Sequence, residues 1–379
     1  MEQAVSERVR QRYASRLESQ RTTSDGPVIG VVGGDVPLEI IESCGARAYR
    51  LSAVDRPADA TAVGLLGGAV DAAAHSILEQ ILAGDFDFLR GLVISRDSQA
   101  SLRLFYVLRA LAAQGRDLPP IHLVDIQHLR RDSTERYNRS RLAKFGATVA
   151  QWTGRPYTIE SLRTAGAART LLAHSLRQLR ERRCAADPTV SGATALRLYA
   201  LSQTAPPEEA VALIDSVLAD PEPMTNRLRV FLTGSTHDHD GDYVALESMG
   251  CQVVGEDHSW GDPFVDFWTE LEDIPDLDAA HAAIASHRLY AGAMAQTSGL
   301  SERARYTAAC ARRARADVVL SLVRRNDPAP GWDYPALVRE LDGRVRTEKL
   351  TGATYTWPRA ELAAVLARPA AEENETATR

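Results

Sequence analysis

The residues best equipped for chemistry gather in one short stretch, TGSTHDHDGDY, which carries His237, Asp238, His239, Asp240 and Asp242. A second polar set, Glu256, Asp257, His258 and Asp262, follows a few residues later. Imidazoles beside carboxylates can hold Zn, Fe or Mn, and the donors expected for a mononuclear metal are His237, His239, Asp240 and His258. A His/Asp-rich stretch with a glycine at 241 is equally the composition of a solvated turn. A third reading needs no metal, because an imidazole titrates near neutrality and lets His237 or His258 act as general acid or base, with Asp257 beside them.

Other candidates carry less. VVGGD (Val31 to Asp35) places glycines after an apolar run, where backbone amides could approach an anion; it lacks the full dinucleotide fingerprint, and a tight turn is the expectation. Glu39 is read as a helix carboxylate that either faces a cleft or is solvated. Arg96, Arg103, Arg324 and Arg325 could meet phosphates or lie at the surface. The run RQLRERR (Arg177 to Arg183) is read as a solvated helix face. The four cysteines, Cys44, Cys184, Cys251 and Cys310, are too far apart for a CxxC site and too few for a disulfide-stapled scaffold; Cys44 and Cys251 read as small buried residues.

These residues must be positioned by a scaffold, and its pattern is legible. Short β-branched runs, VIGVV, ARAYRL, GLVIS and PIHLVDI, alternate with helical segments as far as Ile126. Such alternation argues for a parallel sheet covered on both faces. From about Asp132 to Asp220 long stretches rich in Arg, Ala and Leu read as helices. Alternation then resumes with LRVFLTGS, CQVVGED, DVVLSLV and RVRTEKL as strands. The expected fold is α/β, two flavodoxin-like doubly wound parallel-sheet domains joined by a helical segment. The first spans residues 1–205 with the connector and the second 206–379, with a short N-terminal helix and a disordered tail from Arg368. Ligands of such sheets bind beyond the carboxyl ends of the strands, which directs attention to residues 33–35, 96–98, 235–242, 257–261 and 324–327. The net charge of −6 gives no global attraction to nucleic acid or anionic membrane. No apolar run approaches the roughly 20 residues of a membrane span, and the charged N-terminus lacks a signal peptide. A cytoplasmic protein is expected.

With those strand ends in order, the chain resembles the 2-hydroxyacyl-CoA dehydratase and benzoyl-CoA reductase family, in particular its D-component subunits. VIGVVGGDVPLEIIESCGARAYRL is similar to the family's opening strand and helix. RYNRSRLAKFGATVAQWTGRPYTIESLRTA is similar to its central helices, RVFLTGS with SMGCQVVGED to the start of its second half, and NDPAPGWDYPALVREL to a segment near its end. The resemblance implies two flavodoxin-like domains facing a cleft, dimeric pairing, an acyl-CoA substrate, and an iron–sulfur cluster held by three cysteines that receives an electron from an ATP-driven activator.

The ligand cysteines do not carry over. Ser98 stands where the family has the cysteine after the GLVIS strand, Asn326 where it has the cysteine of "CDP", and the first ligand falls near Asp71. Clusters are held by thiolates, and oxygen or amide groups are poor substitutes. The expectation is therefore an enzyme without an iron–sulfur cluster, a lyase or transferase. It would act by acid/base or metal-assisted chemistry on a small carboxylic or acyl-thioester substrate, with Ser98 and Asn326 lining the former cluster pocket. The alternatives are a non-catalytic subunit paired with a cluster-bearing homologue, and a cluster held in some other way. Pairing as a homodimer or as a heterodimer with a homologue is expected.

Overall fold

The computed structural model describes residues 4–22, 26–224, 228–266, 268–290 and 298–368. Two helices, α1 (Val5–Ala14) and α2 (Arg16–Thr22), precede the first sheet. The first sheet unit runs β1 (Val28–Val32), α3 (Leu38–Ser43), β2 (Arg47–Arg50), α4 (Ala60–Leu66), α5 (Ala72–Leu82), β3 (Gly91–Ser95), α6 (Gln99–Ala113) and β4 (Ile121–Val124). Four helices follow: α7 (Asp132–Thr153), α8 (Ile159–Cys184), α9 (Gly192–Leu201) and α10 (Pro207–Ala219). The second unit runs β5 (Leu228–Gly234), α11 (Gly241–Ser248), β6 (Cys251–Glu256), a 3₁₀ turn (Asp262–Asp266), α12 (Leu277–Tyr290), α13 (Leu300–Arg313), β7 (Val318–Val323), α14 (Ala329–Leu341), β8 (Arg346–Thr351) and α15 (Arg359–Leu366).

The two sheets have the same order, β2-β1-β3-β4 and β6-β5-β7-β8, and every pairing is parallel. Burial explains why the strands read as continuous apolar runs: β1, β3, β6 and β7 are buried at every residue, as a strand covered by helices on both faces must be. In each sheet the chain reverses direction across the sheet at one place, between β1 and β3 and between β5 and β7. The crevice beyond the strand ends opens there. The fold is thus the pair of flavodoxin-like α/β units expected from the sequence.

The largest apolar cluster runs through both units, joining Ile29 and Val31 of β1 to Leu172 and Leu176 of α8, Leu198 of α9 and Val230 of β5. Helices α8 and α9 therefore act as a shared core between the sheets rather than as a loose connector. Their charge pattern is corrected accordingly. The Arg177 to Arg183 run is not a uniformly solvated face: Arg183 is fully buried, and pairs with Glu256 at 2.7 Å and Asp262 at 2.7 Å. Arg180 pairs with Asp266 at 3.0 Å. The polar N-terminal segment contains a second helix, α2, beyond the single short helix expected. The expected tail lies, apart from Arg368, outside the described residues.

Candidate functional site

The ends of β1, β2, β3, β5 and β7 converge on a cleft between the two units. It encloses about 120 Å³, and Gly33, Arg50, Asp71, Asp97, Ser98 and Arg324 are among its walls. Gly33 forms the floor with φ of 90°, and a Cβ there would lie 2.0 Å from Ser95 Oγ and 2.6 Å from Asp97 Oδ2. Only glycine fits this turn. It lets the Gly34 N–H donate to Asp97 Oδ2 at 2.6 Å, while Ser101 Oγ donates to Asp97 Oδ1 at 3.0 Å. Burial pushes the Asp97 carboxyl up against these donors and the nearby Arg50.

Arg50, at the end of β2, is buried and donates to Gln203 Oε1 at 2.6 Å, to Ser259 O at 2.7 Å and to Ser259 Oγ at 2.7 Å. Its guanidinium lies 4.2 Å from the centre of the Trp260 ring. Its buried Nε has no hydrogen-bond partner. Burial lowers its pKa to about 10, although Asp97 and Asp238 oppose the shift.

Across the cleft Arg324 follows β7 and is joined to Asp71 of the first unit by two contacts, Nε to Oδ1 at 3.1 Å and Nη2 to Oδ2 at 2.7 Å. Arg324 also donates to the carbonyl of Thr236. Burial by itself would depress its pKa, but Asp71 outweighs burial and raises it. Asp71 simultaneously caps α5 by accepting from the Ala73 N–H. Asn326, with φ of 67°, donates to Gly68 O at 2.9 Å and Val70 O at 3.3 Å. Ser98 caps α6, accepting from the Ser101 N–H at 3.0 Å. Asp327 accepts from Ser235 Oγ at 2.7 Å, and its carboxyl is pushed up by burial and by Asp71. Of the three positions matched to the family's cysteines, Asp71 and Ser98 line the cleft, and Asn326 bonds the segment just before Asp71.

The histidines lie elsewhere. His237 and His258 are fully buried behind the cleft, with ring centres 5.2 Å apart. His237 Nδ1 is 3.1 Å from Asp242 Oδ2, and His258 Nε2 is 2.9 Å from the Tyr243 hydroxyl. Burial drives His258 well below the usual imidazole range, and lowers His239 as well. The half-buried Asp257 accepts from Thr233 Oγ1 at 2.9 Å and from Thr307, with its carboxyl raised by burial. Asp240 turns to Arg197, with Nη2 2.6 Å from Oδ2. Asp238 accepts from the Ala53 N–H at 2.7 Å and from the Tyr355 hydroxyl at 2.6 Å, tying the His/Asp segment to the first unit.

Sequence reasoning missed Arg50 and Asp97 as partners in the cleft, and the pairing of Asp71 with Arg324, although residues 96–98 were marked as a strand end. Glu39 is neither in the cleft nor solvated: it is 2% exposed and neither carboxylate oxygen has a hydrogen-bond partner, so burial raises its pKa. Arg96 is held by Asp125 at 3.0 Å, and Arg103 donates to Leu66 O at 3.0 Å.

The family model for the D-component of 2-hydroxyglutaryl-CoA dehydratase matches residues 34–346. The chain belongs to that family. Comparison with curated proteins gave no match. The match runs from just after β1 to the first residue of β8 and takes in most of both walls of the cleft. No helix among the described residues is long and apolar enough to cross a membrane.

The donors of this family member do not fit an iron–sulfur cluster. Thiolates hold such clusters, whereas the three junction positions present a carboxylate committed to a guanidinium, a capping hydroxyl and an amide donating to carbonyls. None of the four cysteines lines the cleft. Cys251 begins β6, at the end of the sheet opposite the crevice. Cys44 and Cys310 are buried, which raises both thiols, Cys310 to about 12.

Proposed function

We propose that the chain is a cluster-free enzyme of the dehydratase family that acts by acid/base chemistry on a short acyl-thioester or related carboxylic substrate in the interdomain cleft. The observation that carries this reading is the pairing of a buried arginine that has an unpartnered N–H, Arg50, with cleft carboxyls whose pKa burial raises, Asp97 and Asp327. A buried donor without an acceptor costs about 1–3 kcal/mol, and a substrate carbonyl or carboxylate oxygen relieves that cost. Carboxyls whose pKa burial raises are suited to proton transfer. The enclosed volume is below the roughly 300–1,000 Å³ of drug-sized pockets, which favours a short acyl group.

In a polar dehydration, the ionised form of Asp97 removes a proton α to the carbonyl. Protonated Asp327 then delivers its proton to the departing hydroxyl, which leaves as water as the double bond forms. Arg50 binds the carbonyl oxygen, where charge develops. This chemistry requires an acidic α-proton and hence a hydroxyl β to the carbonyl. Ser98 lines the rim beside Asp97. The depth of His237 and His258 gives them a supporting position, and Asn326 holds the junction closed.

The test combines metal analysis of anaerobically purified protein with calorimetric titration and turnover assays using short 2- and 3-hydroxyacyl-CoA thioesters. Absence of stoichiometric iron and sulfide, binding abolished by Arg50→Met, and turnover abolished by Asp97→Asn with binding retained are expected. A bound cluster, or an Asp97→Asn variant as active as the parent, overturns the reading.

One observation favours the second reading, a non-catalytic subunit of a larger assembly. Trp332 on α14 is 73% exposed, close in sequence to Asn326 and Asp327. An indole left in solvent is characteristic of partner surfaces. Co-expression with a cysteine-bearing homologue should then give a stable heterodimer that Trp332→Ala weakens.

A further inference from the structure

We propose that His237, His239 and Asp242 form a structural site for a divalent transition-metal ion, with Zn²⁺ as the best fit, that pins the β5–α11 segment behind the cleft. One potential ligand atom from each of the three residues lies within 4.8 Å of the others. The side chains of His237 and Asp242 are 0% and 1% exposed, and that of His239 is 15% exposed. Two imidazoles and a carboxylate are a donor set that Zn²⁺ accepts.

A second, independent observation points to a ligand. Nε2 of His237, Nε2 of His239 and Nδ1 of His258 are all buried without a hydrogen-bond partner. Core histidines normally satisfy both ring nitrogens; of these orphans, His239 Nε2 lies 3.9 Å from Asp242 Oδ2, the same oxygen that His237 faces through Nδ1, as a ligand nitrogen without its ion would. Asp242 is held for this role by the Trp357 N–H, which donates to its Oδ1 at 3.0 Å and leaves Oδ2 facing His237 and His239 at 3.1 and 3.9 Å. Such outer contacts are typical of metal-binding carboxylates. His258 stands beside the set as a source of a fourth donor.

Four-coordinate Zn²⁺ with bonds of about 2.0–2.1 Å needs ligand atoms about 3.4 Å apart. The set must therefore contract by as much as about 1.4 Å at its widest, which rotation of the partly exposed His239 supplies. The function is to hold a loop rather than to react. Asp238, between the two histidines, binds the Ala53 N–H of the first unit, and His239 packs on Tyr355 with ring centres 4.5 Å apart. The ion would thus fix the segment that joins the two halves at the cleft.

The experiment strips the full-length protein with chelator, titrates it with Co²⁺ alone, and follows the visible bands of tetrahedral Co²⁺. Zn²⁺ is then used in competition and in X-ray absorption. About one tightly bound ion per chain is expected, displaced by Zn²⁺, with a shell of imidazole nitrogen and carboxylate oxygen. Asp242→Asn and His239→Ala should each weaken binding by about 100-fold or more, with unchanged circular dichroism, while Asp240→Asn binds as the parent does. No tetrahedral Co²⁺ spectrum, binding that survives both ligand substitutions, or a shell containing sulfur or only oxygen overturns the proposal. The absorption measurement decides even where a substituted chain fails to fold.

Discussion

Replacing Asp71 by Asn tests whether the junction between the two halves depends on charge. Arg324 is 3% exposed and Asp71 15%, and two contacts join them. Asn retains a side-chain oxygen able to cap α5, so the perturbation is confined to the charge and to one acceptor. Removing one member of a buried ion pair typically costs 3–5 kcal/mol, because the partner is left uncompensated. The exposed edge of Asp71 and the surviving Arg324 contact with Thr236 O place the expectation near the lower bound, at about 3 kcal/mol. With a urea dependence of about 3 kcal/mol/M, this moves the unfolding midpoint down by about 1 M. The two sheets can also separate into two transitions, since the pair joins α5 to the end of β7. The assay is urea unfolding followed by circular dichroism for the parent, Asp71→Asn, Arg324→Gln and the double variant. A coupling energy of at least about 1.5 kcal/mol is expected, because the two residues are in contact. Additive losses, or an Asp71→Asn midpoint equal to the parent's, refute the argument that this pair holds the cleft together.

Three further perturbations follow from the same geometry. Asp35 is held at about 2, burial being outweighed by His128 at 2.6 Å and Arg288 at 2.9 Å, while Asp35 raises His128 against its own burial. The Asp35 contribution, roughly 2 kcal/mol, is present above pH ~4 and lost as pH falls toward 2; that of His128 is full below pH ~6.5 and lost as pH rises through its raised pKa. Asp35→Asn should flatten both limbs of a thermal-stability profile, and a profile that keeps them counts against the pairing. Glu39→Gln should raise stability by roughly 1 kcal/mol at pH 8 and by nothing at pH 4, because a carboxyl raised by burial destabilises the fold only where the unfolded chain ionises it; a loss at pH 8 means that Glu39 has a partner in solution. Gly33→Ala should unfold the β1 end or cost several kcal/mol by calorimetry, since the added methyl collides with Ser95 and Asp97 at a positive φ; an unaffected melting temperature would contradict the turn.

The strands were legible because burial on both faces writes them as uninterrupted apolar runs, such as GLVIS and DVVLSL. The elements that escaped reading have weaker or misleading patterns. Helix α12 carries His281, His287 and Arg288 among alanines, and the arginine-rich end of α8 reads as solvated because nothing local reveals Glu256 and Asp262 waiting more than seventy residues away. The site was half legible for the same reason. Ser98, Asn326 and the neighbourhood of Asp71 were found by matching positions within a family, whereas Arg50 and Asp97 become a unit only when β2, β3 and the Ser259 loop fold together. Linear proximity of His237 and Asp240 suggested a joint role, yet one residue's carboxylate turns out to Arg197 while Asp242 turns in.

Asp71, Ser98 and Asn326 each meet a demand that the fold makes locally. In a doubly wound sheet the strand ends are followed by helix N-termini, whose free N–H groups and dipoles demand an acceptor. Asp71 and Ser98 each meet that demand, capping α5 and α6, which a cysteine does poorly. Asn tolerates the left-handed backbone at position 326 better than most residues, and its amide closes the junction by donating to Gly68 and Val70. Each of the three residues therefore makes a local interaction, and the Asp71–Arg324 pair adds a bond between the two units. On the proposed function, a substrate entering the cleft meets a guanidinium and raised carboxyls, which select for an oxygen acceptor and an acidic proton.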